Sequence, residues 1–479
     1  MKRLDGGKME LEFSGPLATK VYWRRYLILA IFAVLSASNA FQWIMYAIIM
    51  NITARFYDVP NLYVGWTSMI YMSNYIPLIL PATWILNNYG LRVSALLGGF
   101  GNALGALLKC LSARPDRFWL TFLGQTIAGS SQVFTLGIPP KLAAVWFGPN
   151  EVSTACAIGV FGNQVGIALG FLIPPMIVPN YSAENETLQN ETALVASGFQ
   201  TLFISSATVN CVIFLLILLF FANEPPLPPS RAQLSALEET DTNYFRSLKQ
   251  LLSNRSYWLL LVTYGINVGA FYAVGTLLNE MLINIYKGEE INIGRIGLVI
   301  ICAGMLGSVL CGIWLDKTHS YKWTTVGVYL LSFVGMLAFT ASLLYSNAML
   351  VVFCIAAFLG FFMTGYLPIG FELGAEITYP VCEGTMSGLL NAFAQIFGVA
   401  MTMAGALMLQ GAEPPYYLCN LTLSGSLLVG TVLTAMISSD LKRQAAGRVG
   451  DGPPRDSMLQ ELTEQSVAGR VRIVEDDGV

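Results

Sequence analysis

Trp84-Ile-Leu-Asn87-Asn-Tyr-Gly90-Leu-Arg92 closes one long apolar run, and Gly312-Ile-Trp-Leu-Asp316-Lys317 closes another 229 residues further on. The two breaks match in make: a tryptophan and isoleucine, a leucine, then Asn87 or Asp316 and a basic residue close behind. Five further apolar runs accompany each of these two. The first set lies near 26–50, 63–87, 93–113, 118–141, 151–178 and 199–223, the second near 256–283, 292–316, 323–345, 348–373, 383–409 and 415–438. A bilayer core about 30 Å thick takes about 20 mostly apolar residues per helix, so each run is long enough to cross one. The expected fold is therefore all-α: a polytopic membrane protein of twelve transmembrane helices in two pseudo-symmetric six-helix halves. The division expected is a cytosolic tail at 1–25, a first half at 26–223, a polar linker at 224–255, a second half at 256–438 and a disordered cytosolic tail at 439–479.

Composition agrees. Of 479 residues 55% are hydrophobic and only 11% charged, against roughly 25% charged in a soluble domain. A net charge of −3 with no basic, aromatic-interleaved patch leaves no reason to expect a nucleic-acid partner. The eight cysteines sit mostly inside apolar runs and form no Cys-x-x-Cys pair, so they read as small apolar residues. No nucleophile–histidine–acid set, metal-ligand cluster or phosphate loop is visible; neither an enzyme nor a bound cofactor is expected.

Basic residues favour the cytosolic side of a span. Placing both termini in the cytosol puts 20 of the 26 lysines and arginines inside and five outside, with Lys109 within a span. The glycosylation sequons at Asn180, Asn185 and Asn190 then fall in one outer loop, as do those at Asn51 and Asn420 in others. A multi-pass plasma-membrane glycoprotein, monomeric in the lipid bilayer, is the expectation.

The 229-residue offset also carries Trp43 of the first span onto Tyr272 of the seventh, and brings Gln164 of the fifth to within two positions of Gln395 in the eleventh. Parallel repeats about an axis normal to the membrane place the substrate between the halves near midplane. Alone, Trp43 reads better as packing or an interfacial anchor, and its pairing with Tyr272 turns that toward a site; Gln164, among Gly159, Gly162, Gly166 and Gly170, reads equally well as an interhelical hydrogen bond. No Asp, Glu or Lys stands at midplane in spans one, five, seven or eleven, and the only histidine, His319, lies in a short loop. Proton relays need such groups. An aromatic cavity without formal charge suits an organic cation, since cation–π attraction is worth about 2 kcal/mol or more when desolvated. Met72 adds a polarizable wall, and Gln164, Gln395 and Asn39 offer amides to a hydroxyl. A choline-like ligand fits.

The two breaks resemble the signature loop of the major facilitator superfamily, with Asn87 in place of the usual acid. The stretches Asn39-Ala-Phe-Gln-Trp43-Ile, Gly162-Asn-Gln164, Thr263-Tyr-Gly-Ile-Asn-Val-Gly-Ala-Phe-Tyr272 and Gly360-Phe-Phe-Met-Thr-Gly-Tyr-Leu-Pro368 resemble, more narrowly, the feline leukaemia virus subgroup C receptor family. That resemblance implies facilitative choline transport, with ethanolamine as a second substrate and heme export as an older attribution. It also implies that Trp43 and Tyr272 embrace the ammonium while Gln164 and Gln395 line the cavity. Met45 and Lys141 depart from the family, which often has glutamine and arginine there. Heme is the rival substrate, disfavoured because the lone histidine lies outside the cavity. A receptor or sensor binding without turnover is a reading of another class, which no large soluble domain supports.

Overall fold

A computed structural model describes residues 20–148, 151–180, 188–227, 229, 244–318, 320–345, 348–379, 381, 383–410 and 416–438. The tail 439–479, most of the tail 1–25, much of the linker, His319 and Asn185 lie outside the described residues.

A bilayer core has no water to satisfy backbone groups, so a spanning segment hydrogen-bonds to itself as helix. The elements are α1 Arg24–Ile44, α2 Met50–Tyr57, α3 Asn61–Cys110, α4 Phe118–Leu136, α5 Ile138–Trp146, α6 Val152–Leu172, α7 Pro174–Ile177 and α8 Leu188–Phe220. After the linker come α9 Tyr244–Leu252, α10 Arg255–Ile283, α11 Glu290–Thr318, α12 Tyr321–Tyr345, α13 Met349–Thr378, α14 Glu383–Met408 and α15 Tyr416–Ala435.

Among the described residues ten stretches are long and apolar enough to cross a membrane. One of them, α3, is 50 residues long; straight, it would reach roughly 75 Å at 1.5 Å per residue. It does not run straight. At Gly90 the backbone turns to φ 84°, ψ −171°, and beyond it the chain returns: Gly105 packs on Gly124 of α4, while Tyr71 packs on Gly129 of the same helix. The first break is thus a hinge between two spans. Only glycine serves at that left-handed φ, and a Cβ there would also strike the Asn223 side chain. With α3 counted twice and α4 added, whose inward face carries Gln125, Ser131 and Gln132, the spans number twelve.

Boundaries shift in several places. The first span, expected over 26–50, stops being helical at Ile44, and α2 starts afresh after a turn at 45–49. The fourth, expected over 118–141, breaks at Gly137; Pro139 and Pro140 lack the N–H that would continue α4 but are tolerated in the first turn of α5. The sixth begins at Leu188 rather than 199.

The halves repeat their packing. In the first, α1 lies along α6 and α3 along α4; in the second, α10 lies along α14 and α11 along α13. Across the interface α6 meets α11, and α14 meets α3 in the symmetric position. Small residues allow these approaches: Gly166 of α6 abuts the Ala37 carbonyl of α1 so closely that any Cβ would overlap it. Overpacking costs roughly 1–3 kcal/mol. Gly166→Ala is therefore expected to lower the melting temperature of the purified protein by several degrees, whereas Gly388→Ala, which meets nothing within 4 Å, leaves it within a degree; a thermal-shift scan of both checks this.

Candidate substrate site

Ending α1 inside the membrane leaves its last carbonyls without helical partners, and those of Gln42, Trp43 and Ile44 find others. The last helical bond runs from Met45 N to Phe41 O at 3.1 Å, and Ile44 O accepts from Ala47 N at 2.9 Å. Gln42 O accepts from Gln125 Nε2 at 2.9 Å, and Trp43 O from Ser68 Oγ at 3.1 Å. The indole Nε1 of Trp43 in turn donates to Ser68 O at 3.2 Å. Trp43 is consequently held at both main chain and ring, 5% exposed, at the helix end that carries roughly half a negative charge. That polarity suits a cation.

Tyr272 comes from α10, and its ring lies edge-on to Trp43 with centroids 5.4 Å apart and planes at 79°. The offset of 229 residues has placed two aromatics in direct contact across the halves. Gln395 of α14 lies beside the Tyr272 hydroxyl. One turn along α14, a Cβ on Gly398 would stand 2.9 Å from both Met72 Sδ and Tyr272 Cδ2. Trp43, Met72, Tyr272 and Gln395 are thus brought together by α1, α3, α10 and α14, with Gly398 as a floor. The sequence reading missed Gly398, whose signal is its spacing one turn after Gln395.

Gln164 of α6 stands one turn before Ile167, and Ile167 lines a small apolar cavity together with Trp43, Phe171, Phe271 and Val274. Its side-chain oxygen is buried without a hydrogen-bond partner among the described residues, the condition in which a ligand hydroxyl or N–H gains most. Asn39 is placed elsewhere. Its amide nitrogen is used inside the first half by Asn102 Oδ1 at 3.0 Å and Ala128 O at 3.1 Å. Asn102 is itself shared with Gln42 and Asn210. The structure does not bring Asn39 to the aromatic pair; it knits α1, α3, α4 and α8.

The cavity beside Trp43 has a volume of about 10 Å³, room for a single water at most. With the rings touching, nothing larger than a water has room beside them until the halves part. They are tied at one end of the bundle. Asn51 Nδ2, from the first half, donates to Glu290 Oε1 of the second at 3.0 Å, Asn180 donates to the same oxygen, and Asn279 Nδ2 donates to Ile48 O at 2.7 Å. Two sequon asparagines thereby share one carboxylate, which is only 5% exposed. Asn190 is part of α8.

The family model described as Major Facilitator Superfamily matches residues 31–403. An uncharacterized MFS-type transporter of Caenorhabditis elegans is 52% identical over 441 residues, covering 92% of this chain and 73% of that protein. A choline/ethanolamine transporter of Danio rerio is 49% identical over 448 residues, covering 92% of both chains. Among solved structures, a D-xylose–proton symporter superposes with a TM-score of 0.67 at 11% identity over 88% of this chain and 98% of that one.

Hydrogen bonds to a charged group contribute roughly 1.5–3 kcal/mol each, so the Glu290 tie bears on which end is closed. In a cysteine-depleted background, Glu290→Ala is expected to raise roughly tenfold the rate at which a membrane-impermeant thiol reagent labels Val274→Cys from the side of residues 45–61. An unchanged rate would show that the tie does not hold that end shut.

Proposed function

This chain belongs to the major facilitator superfamily and, within it, to the feline leukaemia virus subgroup C receptor family of choline/ethanolamine transporters, and from that membership we propose that it carries choline, with ethanolamine as a second substrate, by facilitative alternating access. The observation that carries the reading is the Trp43–Tyr272 contact, made by equivalent residues of the two halves. A rocking motion that separates the halves separates these rings. A quaternary ammonium between them then takes the place of their edge-to-face contact and gains cation–π attraction from both faces. Gln395 and Gln164 offer their amides to the hydroxyl end. The thioether of Met72 supplies a polarizable wall without a charge that would hold the cation too tightly.

A uniporter needs no coupling ion, because a monovalent cation falls inward through a negative-inside potential with about 2.3 kcal/mol per 100 mV. Net direction is then a matter of gradient and potential. The same reading places the protein as a monomer in the plasma membrane with both termini cytosolic and the sequons at Asn180, Asn185 and Asn190 outside. The balance of basic residues supports that orientation.

Two outcomes test the reading. Cells expressing the wild type are expected to show saturable radiolabelled choline uptake that weakens when potassium clamps the membrane depolarised; uptake indifferent to voltage would sink the uniport. Losing about 2 kcal/mol of cation–π attraction amounts to roughly thirtyfold in affinity. Trp43→Ala at equal surface level should therefore raise the choline KM at least thirtyfold or abolish saturable uptake, and unchanged kinetics would remove Trp43 from the site.

A further inference from the structure

The Gln42 carbonyl, one residue before the tryptophan, is gripped by Gln125 of α4, and the same Gln125 Nε2 also donates to Thr67 O at 3.2 Å, one residue before Ser68. One amide thus spans the two backbones that hold Trp43. An amide can do this only in one of its two orientations. Turned over, its oxygen would face two carbonyl oxygens and repel both.

The orientation has a visible cause. Lys109, near the C-terminal end of α3, donates its Nζ to Gln125 Oε1 at 2.8 Å, and the Tyr71 hydroxyl donates to the same oxygen at 3.4 Å. A lysine ammonium has three donors and no acceptor, so it accepts no approach from the NH₂ end of the amide. Lys109 is 1% exposed and Gln125 fully buried. Among the described residues Lys109 makes no ion pair with a carboxylate. Its stem lies against Gly124, where a Cβ would meet Lys109 Cγ at 2.9 Å. A lysine buried in a membrane without a counter-ion is costly and marks a functional position.

We propose that Lys109 and Gln125 are positioning residues of the transport site: the ammonium fixes the Gln125 amide, and the amide fixes the carbonyls of Gln42 and Thr67 from which Trp43 and Ser68 follow. The inference rests on the transport reading above for its kinetic consequence, but the pin itself is a property of the protein without substrate. Neither side chain touches the cation. Their effect reaches it through the place of one indole.

Gln125→Glu separates this role from mere packing. The carboxylate gives Lys109 a counter-ion, so the fold and surface level hold, yet it has no hydrogen to donate and faces two carbonyls with negative charge. Amide hydrogen exchange over residues 42–49 of the purified protein is expected to quicken at least threefold, and the choline KM to rise roughly tenfold with Vmax per surface molecule within twofold; Lys109→Met should move both readouts in the same direction. Unchanged exchange overturns the pin whatever the transport result, and faster exchange with an unchanged KM overturns the positioning role. The wild type gives a test that no folding failure can remove: its amides at 45 and 47 should exchange as slowly as those in the middle of α1, and exchange at loop rates would overturn the pin. Absence of choline uptake by the wild type would count against the transport reading and leave the exchange result to decide the pin.

Discussion

A helix that ends inside a bilayer must dispose of its last carbonyls without water, and the rest of this site depends on how α1 does so. That of Ile44 is satisfied by the chain's own Ala47 N–H. Those of Trp43 and Gln42 are satisfied from α3 and α4, by Ser68 and Gln125. The break is therefore not a loosening of the first span. It is a junction of α1, α3 and α4, rigid enough to carry a large ring, and it turns a helix that could only pack into one that presents its negative end to the interface between the halves. The Asn39–Asn102–Asn210 knot stiffens the same half one turn away.

The second half answers without such a junction. There α10 continues as helix through Tyr272 to Ile283, and its contribution is the edge of a ring rather than a helix end. The internal repeat has kept the place of the aromatic and let the backbone around it diverge. An aromatic pair built this way is asymmetric: one ring is fixed to its half by main-chain and indole hydrogen bonds, the other is half-buried with a glutamine beside its hydroxyl. When the halves move apart, the fixed ring keeps its place in the first half and the freer one has room to adjust.

Much of this was legible in the chain. Apolar runs of spanning length, the matched breaks at Asn87 and Asp316 and the repeat they define carry the fold, because hydrophobic length is the strongest constraint a bilayer imposes. The same repeat was enough to put Trp43 against Tyr272. What could not be read is where polar groups far apart in sequence meet. Nothing in Met45-Tyr-Ala-Ile-Ile-Met50 announces the end of α1, since it holds neither proline nor glycine; the residue that permits it, Gln125, lies 83 positions away. Asn39 looked like a cavity residue because it is polar and one turn from Trp43, yet its amide faces α3 and α4. Lys109 was visible as a charge in a span, but its role depends on Gln125 and on the glycine at 124 that makes room for it.

The junction grips carbonyls, and a carbonyl is the same in every amino acid. The side chains at 45 and 67 take no part in the hydrogen bonds that place the indole, so substitutions there need not move it. Met45, where the family that this chain resembles often has glutamine, is such a neighbour. The place of the indole and the chemistry of its surroundings are thereby uncoupled, so that one can change while the other is kept.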